Sequence, residues 1–239
     1  MMKLDILAIS SHPDDIELSC SGTIAAHVAK GYKVGILDLT RGEMGTRGTP
    51  ALRLEESAAA SAILGLSVRE NLGFKDVFFS DDQEHAMEIV KVIRKYQPDI
   101  VLANAVRDRH PDHGKGASLV ANACFISGLR KVETRDEGGE QLPWRPDHVY
   151  HYIQNDYIEP DFVFDITDFW DKKMESIKAY GSQFHNPKSK EPESFISAPH
   201  YLDFIESRAR EMGHKIRVKY GEGFTAARML GVDDFYNLK

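Results

Sequence analysis

Apolar and polar positions are organised in blocks along the first 130 residues. Lys3–Ser10, Tyr32–Leu39 and Ile100–Asn104 are short, nearly unbroken apolar runs, the pattern of strands buried on both faces of a sheet. Longer stretches between them carry helical spacing. Ile16–Lys30 predicts a helix closed by Gly31. Thr49-Pro50 opens a small-residue helix through Ser57-Ala58-Ala59-Ala60 that stops near Gly65, with Pro50 in the first turn. Val68–Phe74 is a short strand, and Asp81–Tyr96 and Gly114–Ser127 are further helices. Strands alternating with helices predict βαβ units, an α/β fold and a mostly parallel sheet.

The rhythm changes after residue 131. Glu133–Gln141 is polar and glycine-containing, which predicts a loop. His148–Gln154 and Phe162–Ile166 read as later strands, and Thr167 as the N-cap of a helix over Asp168–Tyr180. Residues 182–200 hold three prolines and little periodicity, so an irregular loop is expected. Tyr201–Met212 is a last helix, ended by Gly213. With no repeat and no linker in sight, one domain over residues 1–239 is the expectation.

Composition narrows the function classes. Of 239 residues, 42% are apolar and 28% charged, enough for a sizeable core, and the formal net charge is −7. An acidic chain with no long basic run argues against partners such as nucleic acid or an anionic membrane. Its apolar stretches fall short of the ~20 residues that span a bilayer. Asp5 interrupts the N-terminal run, unlike a signal peptide. Cys20 and Cys124 form no CxxC pair; free thiols in a reducing cytosol are expected, with a bridge between them left open. The chain reads as soluble and cytoplasmic.

Candidate chemistry sits at two strand ends. Ser10-Ser11-His12-Pro13-Asp14-Asp15 follows the first strand, and His110-Pro111-Asp112-His113 follows Ile100–Ala103. Ligands of open α/β sheets bind at this edge. Imidazole and carboxylate are common zinc ligands, and a catalytic ion takes three protein ligands plus water. His12 and Asp15, three apart, with His113 as the third, make such a set. Asp14 is then a free carboxylate beside the ion, as a general base must be. His110 could donate to an oxyanion or protonate a leaving amine, with Asp112 holding its ring. The plainer alternatives are Asp14 or Asp15 as a helix N-cap, His110 or His113 at a helix start, and Asp112 in a turn. Two such clusters, each with an internal proline directly after an apolar strand, favour the metal.

The residues His12-Pro13-Asp14-Asp15-Ile16-Glu17 and His110-Pro111-Asp112-His113 closely resemble the LmbE-like (PIG-L) zinc-dependent N-deacetylases. Thr40–Thr49, with its glycines, looks like the branch that deacetylates N-acetylglucosaminyl-L-malate in bacillithiol biosynthesis. The likeness runs on to Tyr220-Gly221-Glu222-Gly223-Phe224. It implies a Rossmann-like fold, zinc on His12, Asp15 and His113, Asp14 as general base and His110 stabilising the tetrahedral intermediate. It also implies an amino-sugar substrate and a homo-oligomer, often a hexamer. Ser11 stands where the family motif usually has proline or alanine, a position expected to bind nothing.

Gly42, Gly45 and Gly48 are not spaced as a P-loop. The segment reads as either a mobile surface loop or a pocket rim with Arg47 and Arg53 near it. An arginine fork suits a carboxylate, malate carries two, and Arg53 is the better placed because a helix holds it. Tyr201 is the match for a family tyrosine that helps hold the oxyanion. His148 and His151 should face opposite sides of a strand, His185 lies in the irregular loop, and Trp144 and Trp170 read as core or interface.

The substrate reading leaves open another small acetamide, such as a chitobiose or inositol conjugate, and other divalent ions than zinc. From other classes come a receiver-like phosphoacceptor domain and a non-enzymatic metal scaffold. The paired aspartates and Pro98–Leu102 suggest the receiver. Asn104, standing near where a receiver needs its aspartate, and a chain about twice too long speak against it.

Overall fold

A computed structural model of the chain describes residues 2–237. The elements in chain order are β1 (Ile6–Ser10), α1 (Asp15–Ala29), β2 (Val34–Thr40), α2 (Pro50–Leu64), β3 (Val68–Phe74), α3 (Gln83–Tyr96), β4 (Ile100–Ala103) and α4 (Pro111–Ser127). There follow a small hairpin, β5 (Arg135–Asp136) and β6 (Gly139–Glu140), then β7 (His148–Tyr152), β8 (Phe162–Asp165), α5 (Trp170–Lys178), α6 (Tyr201–Lys215) and β9 (Gly221–Ala226).

Seven strands form one sheet in the order β3-β2-β1-β4-β7-β9-β8. The first five in that order pair in parallel, and β9 runs antiparallel between β7 and β8. Every residue of β1 and β2 is buried, which explains their continuous apolar sequences. One core lies between the sheet and α3 with α4, and a second lies under α1. The helices α1 and α2 both pack on α5. After β1 the chain builds outward through β2 and β3, then returns to place β4 on the other side of β1. The carboxyl ends of β1 and β4 therefore flank the switch point, where open α/β sheets form their crevice. Among the described residues no helix is long and apolar enough to cross a membrane.

Local chemistry accounts for most boundaries. Thr49 accepts the Leu52 N–H as N-cap of α2, Pro50 opens that helix, and Gly65 closes it in a left-handed conformation. Asp82 caps α3 in the same way. Four expectations need correction. Residues 111–113 belong to α4, with His110 at its N-cap. Thr167 caps no helix: it sits in a single 3-10 turn, and its hydroxyl accepts the Tyr220 N–H. The segment Glu133–Gln141 contains the β5–β6 hairpin. Gly213 lies inside α6, where a Cβ would come within 2.8 Å of the Tyr220 nitrogen, so close chain approach, not helix termination, requires glycine. Both cysteines are buried and free, so no bridge joins them.

The Tyr220–Phe224 motif supplies most of β9 and repairs a break in α1. At Cys20 the backbone leaves helical geometry (φ −141°). Glu222 accepts the freed N–H groups of Gly22 and Thr23 at 3.0 and 2.7 Å. Lys173 Nζ donates to the Leu18 carbonyl at 2.9 Å and to Glu222 at 2.8 Å. Both side chains are buried. Removing one partner leaves the other charge buried and unpaired. Glu222→Ala should lower unfolding free energy by about 3–5 kcal/mol in a urea titration; a loss under about 1 kcal/mol, typical of a surface pair, would show the pair to be incidental.

Candidate metal centre

The chain turns sharply where β1 meets α1. Asp14 occupies the left-handed region (φ +100°), uncommon for a residue with a side chain. That turn sends two adjacent carboxylates to different places. Asp15 Oδ2 lies 3.5 Å from His12 Nδ1, and Asp15 Oδ1 lies 3.1 Å from His113 Nε2. Asp14 turns towards Arg53, whose Nη2 stands 3.5 Å away. Neither aspartate side chain caps α1: Asp14 holds the N-cap position but makes no side-chain cap bond, and Asp15 accepts the His12 N–H at 3.0 Å. The capping alternative therefore does not hold.

His113 arrives from the first turn of α4. Ser11 links the two motifs: its hydroxyl donates to the Asp112 carbonyl at 2.9 Å, and its N–H donates to Asn104 Oδ1 at 2.8 Å. The position expected to bind nothing thus fastens α4 to the end of β1. Gly116 on α4 faces it, and a Cβ there would lie 2.5 Å from the Ser11 hydroxyl oxygen.

Each candidate ligand is held by a partner. Asp108 meets His113 Nδ1 at 2.6 Å, leaving Nε2 to face Asp15. His12 Nε2 faces Asp76 Oδ1 at 3.0 Å and Asp112 Oδ2 at 3.3 Å, leaving Nδ1 towards Asp15. Asn104 Nδ2 donates to Asp15 Oδ2 at 3.0 Å. Gln154 takes the Ala105 N–H on its oxygen at 3.0 Å, which turns Nε2 to Asp15 Oδ1 at 3.3 Å. Ligand orientation by such partners is the rule at metal sites.

Electrostatics follow from these contacts. Burial works against protonating His113, but Asp15 and Asp108 outweigh it and lift its pKa to about 9. Burial likewise opposes protonation of His12, and Asp112, Asp15 and Asp76 override it in the same direction. Asp15 is held well below the usual carboxylate range: burial raises it, and the two imidazoles pull it down. The cluster is built to hold positive charge away from water, and its mixed nitrogen and oxygen donors suit zinc and other divalent ions. Burial pushes Asp14 the opposite way, up to about 7, against the pull of Arg53. His110 falls below the usual histidine range through burial, then through His12 and His113.

The centre forms the floor of a cavity of about 330 Å³ whose wall includes Asp14, His110, Arg47, Arg53 and Tyr201. His185 is exposed and does not line it. Arg53 and Arg47 reach the wall but are buried and engaged. Arg53 bonds Asp14 and Gln183, and Arg47 donates to the Phe184 carbonyl at 3.0 Å. Gly42 takes a left-handed turn against the Arg53 guanidinium, where a Cβ would collide, so the glycine-rich segment packs as a rim and is not a free surface loop. Asp112 differs from expectation. Because His110 is the N-cap of α4, its ring accepts the Asp112 backbone N–H at 3.3 Å. The Asp112 carboxylate points away to His12, to the Val77 N–H at 2.9 Å and to Lys115 at 2.8 Å, so it does not hold the His110 ring.

His151 is buried, its Nδ1 2.8 Å from the Asn104 carbonyl, while His148 is half-buried. Sequence reasoning passed over Asp76, Asp108, Gln154 and the supporting role of Asn104. Three of these lie just past a parallel strand: Asp76 after β3, Asn104 after β4 and Gln154 after β7. That position was the signal that could have found them.

Residues 7–124 match the family model described as PIG-L: GlcNAc-PI de-N-acetylase. The chain is 32% identical over 189 residues to a diacetylchitobiose deacetylase of Thermococcus kodakarensis, covering 75% of this chain and 70% of that one. It is 29% identical over 194 residues to a 4-oxalmesaconate hydratase of Pseudomonas putida, covering 75% and 74%. A probable N-acetyl-alpha-D-glucosaminyl L-malate deacetylase 2 of Bacillus subtilis is 28% identical over 199 residues, covering 76% and 84%. Among solved structures, the conserved protein TT1542 of Thermus thermophilus superposes with a TM-score of 0.85 at 37% identity, covering 96% of this chain and 98% of that one. These matches, with Asn104 consumed as a buried amide tether, replace the receiver-like reading. The chain belongs to the PIG-L family of de-N-acetylases and is an enzyme of that family.

Proposed function

We propose that this enzyme hydrolyses the acetamide of an N-acetylglucosamine conjugate, releasing acetate, with a divalent ion, foremost zinc, on His12, Asp15 and His113. The observation that carries the reading is the division of labour at the first motif. Asp15 faces two imidazoles, while Asp14, one residue earlier, lines the cavity with its pKa near neutrality. A bound ion would acidify a coordinated water and polarise the acetyl carbonyl.

The chain's own groups supply the rest. Asp14 takes the proton of the attacking water and returns it to the departing amine, as one carboxylate can do when its pKa lies near the working pH. Arg53 keeps the ionised form of Asp14 accessible despite burial. His110 donates to the developing oxyanion. Tyr201 stands in the cavity wall with its pKa raised, by burial first and then by Asp14, so it keeps its proton and can donate alongside His110. Asp112 acts through His12.

The resemblance of Thr40–Thr49 and the Bacillus subtilis relative support N-acetyl-alpha-D-glucosaminyl L-malate as the conjugate. A malate carboxylate would reach Arg53 by competing with Gln183. A second reading comes from the hydratase relative, since the same water activation can serve addition to a double bond. Acetate release separates the two.

Asp14→Asn should reduce acetate release from the malate conjugate by about 10²–10⁴-fold with the metal still bound, measured by elemental analysis beside a turnover assay. Full activity in that variant would remove Asp14 as base. Stripping the metal with a chelator should abolish turnover, and adding back a divalent ion should restore it; turnover indifferent to chelation would refute the metal. Asp108→Asn should weaken metal affinity by about 10–100-fold in a chelator competition, because His113 loses its orienting carboxylate. Unchanged affinity would show that His113 needs no such partner.

A further inference from the structure

One of the carboxylates that hold His12 has a second contact that the proposed chemistry does not use. Asp76 lies just past β3, in neither sequence motif, and is 4% exposed. Its oxygens part company: Oδ1 lies 3.0 Å from His12 Nε2, and Oδ2 accepts the Met44 N–H at 3.0 Å. Met44 belongs to the glycine-rich rim. Glu43 of the same rim returns the contact, accepting the Asp76 N–H at 2.8 Å. One residue thus joins a candidate metal ligand to the loop that borders the cavity.

The join is held against backbone preference. Val77, a β-branched residue, sits at φ +69°. The residue is 40% exposed, so burial does not account for the strain. Its backbone contacts do: the N–H donates to Asp112 Oδ2 at 2.9 Å, and the carbonyl accepts Lys115 Nζ at 2.8 Å. Strain of this kind persists only where the surroundings over-determine it, and it gathers at functional sites. His12, Asp76 and Asp112 also lie close enough to suggest a second cation site. The Lys115 ammonium already supplies the positive charge there, 2.8 Å from Asp112 Oδ1.

We propose that Asp76 is a positioning residue that couples order in the glycine-rich rim to metal retention through His12. The inference rests on the metal centre proposed above. Two ionised carboxylates can only accept, so His12 Nε2 keeps a hydrogen, and a metal on His12 would take Nδ1 in place of a proton there. The carboxylate that fixes this ring also holds Met44. Loosening the rim therefore frees His12, and by linkage a metal on His12 steadies the rim.

The test is metal affinity by chelator competition, combined with hydrogen exchange of the amides of residues 43–47 with and without saturating zinc. Wild type should show slower exchange on zinc binding. Asp76→Ala should bind zinc about 10–100-fold more weakly and, even when saturated, should lose the zinc-dependent slowing. Asp108→Asn should weaken zinc yet keep the slowing at saturation, since it acts on His113. If Asp76→Ala does not fold, Asp76→Asn carries the same two readouts, with a smaller affinity loss. Wild-type zinc affinity in the Asp76 variants, or undiminished slowing at saturation, overturns the coupling. Neither readout involves turnover, so a chain that showed the coupling but released no acetate would refute the deacetylase reading alone.

Discussion

Two neighbouring carboxylates cannot both serve one small site unless the backbone forces them apart, and the left-handed turn at Asp14 does so. Asp15 is left inside the imidazole cluster, where positive charge is favoured. Asp14 is left against Arg53, where burial disfavours its charge. A residue with a side chain gives up about 1–3 kcal/mol to sit at such a backbone position. The Asp14 carbonyl, which accepts the Leu18 N–H as the first helical bond of α1, helps to hold it there. The opposed pKa directions of the pair, and hence the separation of ligand from base, follow from that single turn.

The sheet supplies the frame for this arrangement. The five parallel strands all end on one edge, and each delivers a group there: His12 after β1, the glycine-rich rim after β2, Asp76 after β3, Asn104 and Asp108 after β4, and Gln154 after β7. Apart from the exposed residues 43–46 of the rim, these groups are buried or half-buried and bond one another. The result is a rigid polar floor in which each candidate ligand has an orienting partner, as a precise metal site requires. Glu222 and Lys173 extend the same logic further back, by closing the break in α1 behind the pocket.

Much of this was readable from the chain. Fully buried parallel strands appear as unbroken apolar runs, and β3 matches its predicted limits of Val68 and Phe74. The His-Pro-Asp-Asp and His-Pro-Asp-His clusters stand out because two short-range patterns fall at two strand ends. What stayed hidden depends on tertiary contacts. Asp108 is five residues from His113 and Asp76 is 64 from His12, and no local period relates either pair. Strand β9 escaped notice because glycines and a buried Glu222 break the alternation that marks a strand. Gly213 misled because glycine for close packing and glycine for a helix stop look identical in one sequence. The reach of Asp112 to His12 could not be foreseen without knowing that His110 would be the N-cap of α4.

Anomalous diffraction at the metal edge, on crystals of the metal-loaded chain, tests the central claim most directly. The account predicts one peak per chain bonded to His12 Nδ1, a carboxylate oxygen of Asp15 and His113 Nε2, with both Asp14 oxygens outside bonding distance. A peak held by Asp14, or one lying among His12, Asp76 and Asp112, would contradict it.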